Sequence, residues 1–215
     1  MFLGHIAVGL AGKRAAPSVS LGTWLASVQL VDLLWPIFLL AGLEHVRIVP
    51  GITAFTPLDF YDYPLTHSLV GAAAWAGIFA GVWLAVRRER RAAALLAAGV
   101  ISHWVLDVIA HRPDMPVLTH GPYLGLGLWK SIPATLVVEL TMFAIGISVY
   151  VRSGGAGRQR VSFWLFMAFL LVVYFAAAFG PPPPDTRTLA WSALAIWFLV
   201  PWAWWADKKA RIPNP

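Results

Sequence analysis

Long apolar runs alternate with short polar clusters along this chain, and the lengths of the runs carry the first inference. Six runs, at about 19–43, 65–86, 92–111, 132–151, 161–180 and 188–206, reach the roughly 17 to 25 residues that a helix needs to cross ~30 Å of hydrocarbon. A seventh, Phe2 to Gly12, is too short to cross alone and reads as a half-span or re-entrant helix. Pro36 lies inside the first full run and predicts a kink there, which neighbouring helices can accommodate. Gly180 and the prolines 181–184 end the fifth run, and Ser153 to Gly157 reads as a flexible turn. The pattern predicts an all-α polytopic bundle of about six transmembrane helices plus a short N-terminal half-span helix.

Composition agrees. Hydrophobic residues make up 59% of the chain and charged residues 12%, against about 25% charged in soluble domains. Mean hydropathy is +0.71. Nothing is left over for a soluble domain, so residues 1–215 read as one integral membrane domain. Within it 1–131 is expected to carry the chemistry and 132–215 to support it. No secretory signal is expected, because Lys13-Arg14 follows the first apolar stretch instead of preceding it. The absence of cysteine excludes disulfides, thiolate zinc sites and cysteine nucleophiles.

A net charge of +6 raises the question of nucleic acid. Its distribution answers it. Lys13, Arg14, Arg87, Arg88, Arg90, Arg91, Arg152, Arg158, Arg160, Lys208, Lys209 and Arg211 fall in one alternate set of loops. The other set holds Arg47, Arg112, Lys130 and Arg187, together with Glu44, Asp59, Asp62, Asp114 and Asp185. The positive-inside rule puts the first set, and with it the C-terminus, in the cytoplasm. The basic charge is then a topology signal, and no nucleic-acid partner is expected.

Ionisable residues inside the apolar runs are the candidate chemistry, since each costs about 2.5–3.5 kcal/mol at a helix centre. Asp32, His103, Asp107 and Glu139 lie within spans, His67 and His111 near span ends, and His5 in the half-span. At ~1.5 Å per residue they are compatible with one polar pocket in the outer half of the bilayer. His103 and Asp107 stand at i and i+4 on one helix face, a spacing that lets them share a cation. His111 continues the stripe about 12 Å from His103, so one ion cannot take all three. Two ions about 3.5–4 Å apart, bridged by Asp107, could. Nitrogen and carboxylate ligands without sulfur suit Zn, and also Mn or Fe(II).

Other roles stand beside these. Asp32 alone would serve as helix–helix glue, and Glu139 as an interhelical hydrogen bond or a general base. His45 and His120 read as solvated. The buried acids and histidines also fit a transporter or a proton or metal conduit, or a scaffold whose polar groups lock the bundle.

The order Gly4-His5, Asp32, Thr66-His67-Ser68 and Ser102-His103 through Asp107 resembles the YdjM-like family of bacterial membrane-bound, metal-dependent hydrolases. The resemblance covers about residues 1–115. It is also similar in order to the helical zinc phospholipase C and P1-type nucleases. Carried over, it implies a first metal held by Asp32, His67, His103 and Asp107, and a second held by His5 with Asp107 shared. Asp62-Tyr63 stand where the family usually has His-Arg, and the later ligands of the soluble enzymes have only His111, His120 and Glu139 as candidates. The implied function is hydrolysis of a lipid-like ester or phosphoester from the outer leaflet of a bacterial inner membrane. Asp59, Asp62 or Glu139 would accept a proton from water, and Arg112 and Lys130 would hold a phosphate.

Overall fold

The structure is a computed structural model describing residues 1–154 and 160–207. The predicted turn at 155–157, Arg158, Lys208, Lys209 and Arg211 lie outside the described residues.

The elements run α1 (Phe2–Ala15), α2 (Leu21–Val28), α3 (Leu30–Leu40), β1 (His45–Ile48), β2 (Leu58–Asp62), α4 (Pro64–His67), α5 (Leu69–Arg87) and α6 (Arg90–Ala110). They continue with β3 (Met115–Leu118), β4 (Gly121–Leu124), α7 (Ile132–Arg152), α8 (Arg160–Phe179), α9 (Thr186–Ala193) and α10 (Leu199–Ala206). The chain is mostly helical. It departs from the all-α expectation in the loops between α3 and α4 and between α6 and α7, where β1 pairs with β2 and β3 with β4 as antiparallel hairpins. The Leu58–Asp62 stretch is mostly half-buried, with Asp59 buried and Tyr61 exposed, and carries no period-2 signal that would mark a strand among longer apolar runs.

Among the described residues five helical stretches are long and apolar enough to cross a membrane: α5, α6, α7, Val161–Phe179 of α8, and Thr186–Ala206, in which a 3-10 segment joins α9 to α10. Their outer faces stay apolar. Val86 is 73% exposed, Val137 66% and Val161 74%, and surfaces of this kind associate in water but not in a bilayer. A sixth span requires α2 and α3 to count as one, and they are bent by 55°.

That bend is not at Pro36, where the sequence predicts a kink. Pro36 sits inside α3, and the chain breaks at Gln29, with φ −108° and ψ 7°. The break has a tertiary cause, seen below in the bond made by the Val28 carbonyl.

The expected short N-terminal helix is present and falls short of a full span. α1 is about 21 Å long and central, with Leu3, Ile6 and Leu10 packed among Phe143 of α7, Phe166 and Leu170 of α8, and Ala203 of α10. A helix apolar on every side is buried on every side. Its contact with α7 depends on Gly146, where a Cβ would stand 2.8 Å from the Ala7 Cα. The supporting helices, with α2 and α6, therefore bury most of α1, leaving Arg14 and Ala15 at its end exposed.

At the α1 C-terminus the Lys13 ammonium meets Asp207 at 2.6 Å, and Asp207 also accepts from the Leu21 N–H at 3.0 Å and the Tyr150 hydroxyl at 2.8 Å. Lys13, Arg14, Arg87, Arg90 and Arg152 all belong to helix ends gathered here, around the core of Val19, Trp24 and Leu96. Both hairpins lie at the opposite end.

Candidate metal centre

The site forms where the α2–α3 break faces α6. Val28 ends α2, so its carbonyl is one that the helix leaves without an internal partner. The Nδ1–H of His103 donates to it at 2.7 Å. With Nδ1 committed as donor, the other nitrogen of a neutral imidazole carries a lone pair. That Nε2 lies 3.1 Å from Asp107 Oδ2 and 3.6 Å from Asp32 Oδ1, is fully buried, and makes no hydrogen bond of its own. A lone pair facing two carboxylates needs a cation between them, a proton or a metal ion.

His67 repeats the arrangement from another direction. Pro64 opens α4 and Ser68 caps α5, so His67 stands at the break between two helices. Ser68 serves this break alone, donating to the Pro64 carbonyl and accepting from the Gly71 N–H. The support of the ring comes from Thr66, whose Oγ1 is 2.7 Å from His67 Nδ1. His67 Nε2 faces Asp32 Oδ1 at 3.3 Å and Asp107 Oδ2 at 4.0 Å.

Asp107 turns an oxygen to each side. Oδ2 faces His103 and His67, while Oδ1 meets His5 Nε2 at 3.0 Å and the Met1 amino group at 2.5 Å. The His5 and His103 rings stack with centroids 3.6 Å apart. Two overlapping groups result, Asp32–His67–His103 and His5–His103–Asp107, each with ligand atoms within 4.8 Å of one another. Tetrahedral ligands at ~2.1 Å from an ion stand roughly 3.4 Å apart; the 3.1–3.6 Å separations around His103 and Asp32 are close to that, while His67 and Asp107 stand 4.0 Å apart and fall in different groups.

The groups open onto a cavity of about 170 Å³ lined by Asp32, His67 and Asp107 and walled by Trp35, Phe60, His111 and Trp129. Asp32 is the accessible ligand, its side chain 29% exposed against 3% for Asp107.

The other candidates lie elsewhere. His111 walls the cavity, but its Nδ1 points to Asp114 Oδ1 at 3.0 Å; α6 ends at Ala110, so the helical stripe that was to align His111 with Asp107 stops one residue short. Glu139 is buried against α1, where Oε2 accepts the Leu3 N–H at 2.8 Å and caps the helix start. Asp59 is held by Arg47 at 2.9 Å and by Arg112, and Arg112 also pairs with Asp114 at 3.0 Å. Asp62 pairs with His45 at 2.8 Å on the exposed face of the first hairpin. Lys130 and His120 are exposed, and neither lines the cavity. Hairpin pairing causes the displacement: β1–β2 sets His45 opposite Asp62 and Arg47 opposite Asp59, so opposite charges satisfy one another.

Sequence reasoning missed two contributors. One is the Val28 carbonyl, which no side-chain pattern reports. The other is Glu44, counted above only among outer-loop acids. It is 1% exposed, and its Oε1 and Oε2 accept from the Thr66 N–H at 2.8 Å and the Thr66 hydroxyl at 2.7 Å. Burial raises the Glu44 carboxyl above its ordinary value, against the opposing pull of His67 and Thr66. Burial and the Asp114 carboxylate likewise hold the Tyr63 phenol, beside His111, well above its ordinary value and so neutral.

Comparison with known proteins adds no family: no family model, no curated protein and no solved structure matches the chain.

Proposed function

We propose that this chain is a membrane-embedded, metal-dependent hydrolase whose ion is held by Asp32, His67, His103 and Asp107, with His5 beside it. The observation that carries the reading is the state of His103: Nδ1 is spent on the Val28 carbonyl, and the buried Nε2, without a hydrogen bond, faces two carboxylates. A bundle lock would leave no buried donor or acceptor spare; here His103 Nε2 stays without a hydrogen bond while its neighbours pair. The donor set of imidazole and carboxylate suits Zn, with Mn and Fe(II) as alternatives.

A bound divalent ion supplies Lewis-acid activation of water and of a carbonyl or phosphoryl oxygen. The residues supply the rest. His5 and His103 stack and hold each other in place, and Asp107 spans both groups. Trp35, Phe60 and Trp129 keep the cavity apolar and limit water. Because Asp59, Asp62 and Glu139 do not line it, the role of proton acceptor passes to Asp32, the accessible carboxylate on its wall. With Arg112 and Lys130 also absent from the wall, no side-chain cation is offered to a phosphate. The substrate class is a lipid-like ester or phosphoester.

The cavity lies at the hairpin end, opposite the basic helix ends. Placing those in the cytoplasm of a bacterial inner membrane, with α2–α3 as a sixth, broken span, puts the site toward the outer leaflet. The motif order shared with the YdjM-like family supports the same assignment.

A proton or metal conduit would use the same residues. Against it, the interior between His5 and Lys13 is filled largely by Ile6, Leu10, Leu25 and Leu96, all at or near 0% exposure, and the Ser27 hydroxyl there is spent on the Leu96 carbonyl. The deciding experiment is elemental analysis of the detergent-purified protein together with turnover of a lipid extract with and without chelator. Stoichiometric metal and chelator-sensitive release of a headgroup or acid support the hydrolase. Metal without turnover favours a metal conduit, and no metal removes the hydrolase and leaves a proton conduit.

A further inference from the structure

We propose that Glu44 is the positioning residue for His67, acting through Thr66 to present the His67 Nε2 lone pair to the metal; this rests on the metal-site reading above. Thr66 has two donors, and Glu44 takes both, one on each carboxylate oxygen, at 2.8 and 2.7 Å. The hydroxyl proton of Thr66 is therefore already spent. At 2.7 Å from His67 Nδ1, Thr66 Oγ1 can only accept, so Nδ1 carries a proton, and Nε2 is the nitrogen left for the ion, which would displace the proton of its 3.3 Å hydrogen bond to Asp32.

The arrangement is an outer carboxylate fixing a ligand histidine, with one hydroxyl interposed. It also gives a purpose to a buried acid whose two oxygens both bond to the neutral donors of Thr66. Glu44 follows α3 in sequence, its N–H bonded back to the Phe38 carbonyl at 3.3 Å. α3 thus grips His67 at both nitrogens: Asp32, in its first turn, faces Nε2, and Glu44, just beyond its end, governs Nδ1 through Thr66.

Three substitutions separate this role from simple support of the loop. In Glu44→Gln one amide oxygen must serve two Thr66 donors. The amide N–H then faces Thr66 Oγ1 and turns the hydroxyl toward His67 Nδ1, moving the imidazole proton to Nε2. Thr66→Val removes the hydroxyl but leaves the backbone bond to Glu44. Thr66→Ser keeps the hydroxyl and should restore the wild-type state.

The test measures two quantities on full-length protein in detergent. One is zinc affinity by competition with a chromophoric chelator. The other is the tautomer of metal-free His67 from the ¹⁵N shifts of histidine-labelled protein, its signal identified by loss in His67→Gln. The expected results are Nδ1–H in the wild type and in Thr66→Ser, with wild-type zinc affinity in the latter. Glu44→Gln and Thr66→Val should shift the tautomer and weaken zinc binding by about 10- to 100-fold. The double variant should lose no more than the weaker-binding single one, since both act on the same nitrogen.

Wild-type zinc binding with undiminished affinity in Glu44→Gln and Thr66→Val overturns the positioning role and leaves the metal site standing. If the wild type takes no zinc, the metal reading fails, and the tautomer alone judges Glu44: unchanged in both variants, it overturns the assignment; shifted in both and restored in Thr66→Ser, it upholds it. Should Glu44→Gln not fold, Thr66→Val and Thr66→Ser decide the matter by the same two measurements.

Discussion

His103 Nδ1 donates to the carbonyl of Val28 across 2.7 Å, joining α6 to the last residue of α2. The bond does two things. It takes a carbonyl that a continuous helix would have given to the N–H of Asp32, which accounts for the break at Gln29, and it leaves the opposite ring nitrogen facing Asp32 and Asp107. The bend of the backbone and the readiness of the ligand have one cause.

His103→Ala should therefore lose metal while the bundle persists. The lipid-facing residues are untouched, and the core around Leu3, Leu10 and Phe166 does not include His103. Metal content per chain should fall to background and chelator-sensitive turnover with it, while a detergent melt still shows a cooperative transition. Full metal content in this variant would end the metal-hydrolase reading.

Asp107→Asn and His5→Ala should differ in degree. Asp107 offers Oδ2 to His103 and Oδ1 to His5, and an amide offers only one oxygen. Asn at this position should weaken metal binding by more than tenfold on the scale of a ligand or outer-shell loss. His5→Ala removes a member of the second group alone and should keep one ion per chain. Equal losses in the two variants would place His5 in the principal site.

Glu139 moves from the catalytic candidates to stability. Its carboxylate accepts the Leu3 N–H, a helix-start bond of the type worth about 0.5–2 kcal/mol. Glu139→Ala should lower the melting temperature and leave metal content intact, with Glu139→Gln milder because an amide oxygen still accepts. A variant with normal melting but turnover reduced a hundredfold would return Glu139 to the reaction.

Asp207→Ala should destabilise more. Asp207 binds the Lys13 ammonium, the Leu21 N–H and the Tyr150 hydroxyl, and both charged partners are nearly buried, at 12% and 8% exposure. Breaking such a pair costs roughly 3–5 kcal/mol because the remaining charge stays enclosed. Metal affinity, measured on whatever fraction folds, should match the wild type, since the cluster lies at the other end of α1.

Orientation can be read by cysteine labelling, because the chain has no cysteine of its own. With an impermeant reagent on intact cells, Leu126→Cys, at a 75% exposed position near the second hairpin, should be modified and Ser153→Cys should not. The opposite pattern would place the cavity on the cytoplasmic side and remove the outer-leaflet substrate.

Much of this was legible in the chain itself. Long apolar runs declare membrane-length helices because hydrocarbon thickness sets a length and desolvation sets a composition. The i, i+4 spacing declares that His103 and Asp107 share a face, because helix pitch is local. The rarity of ionisable residues in such runs singles out Asp32, His67 and His103 before any coordinates. Only the tertiary structure decided the rest. Whether a carboxylate is a ligand or a cap depends on what lies across from it: Asp107 meets two imidazoles, and Glu139 meets the start of α1. Arg112 and Asp59 left the site because they form an ion pair with each other, Asp59 being held also by Arg47 opposite it in the first hairpin. Glu44 and the Val28 carbonyl joined it because a helix break turned them toward histidines 23 and 75 residues away. Periodicity reports which residues share a face of one element; hydrogen bonds between elements, which settle the proton on each imidazole, leave no mark on that periodicity.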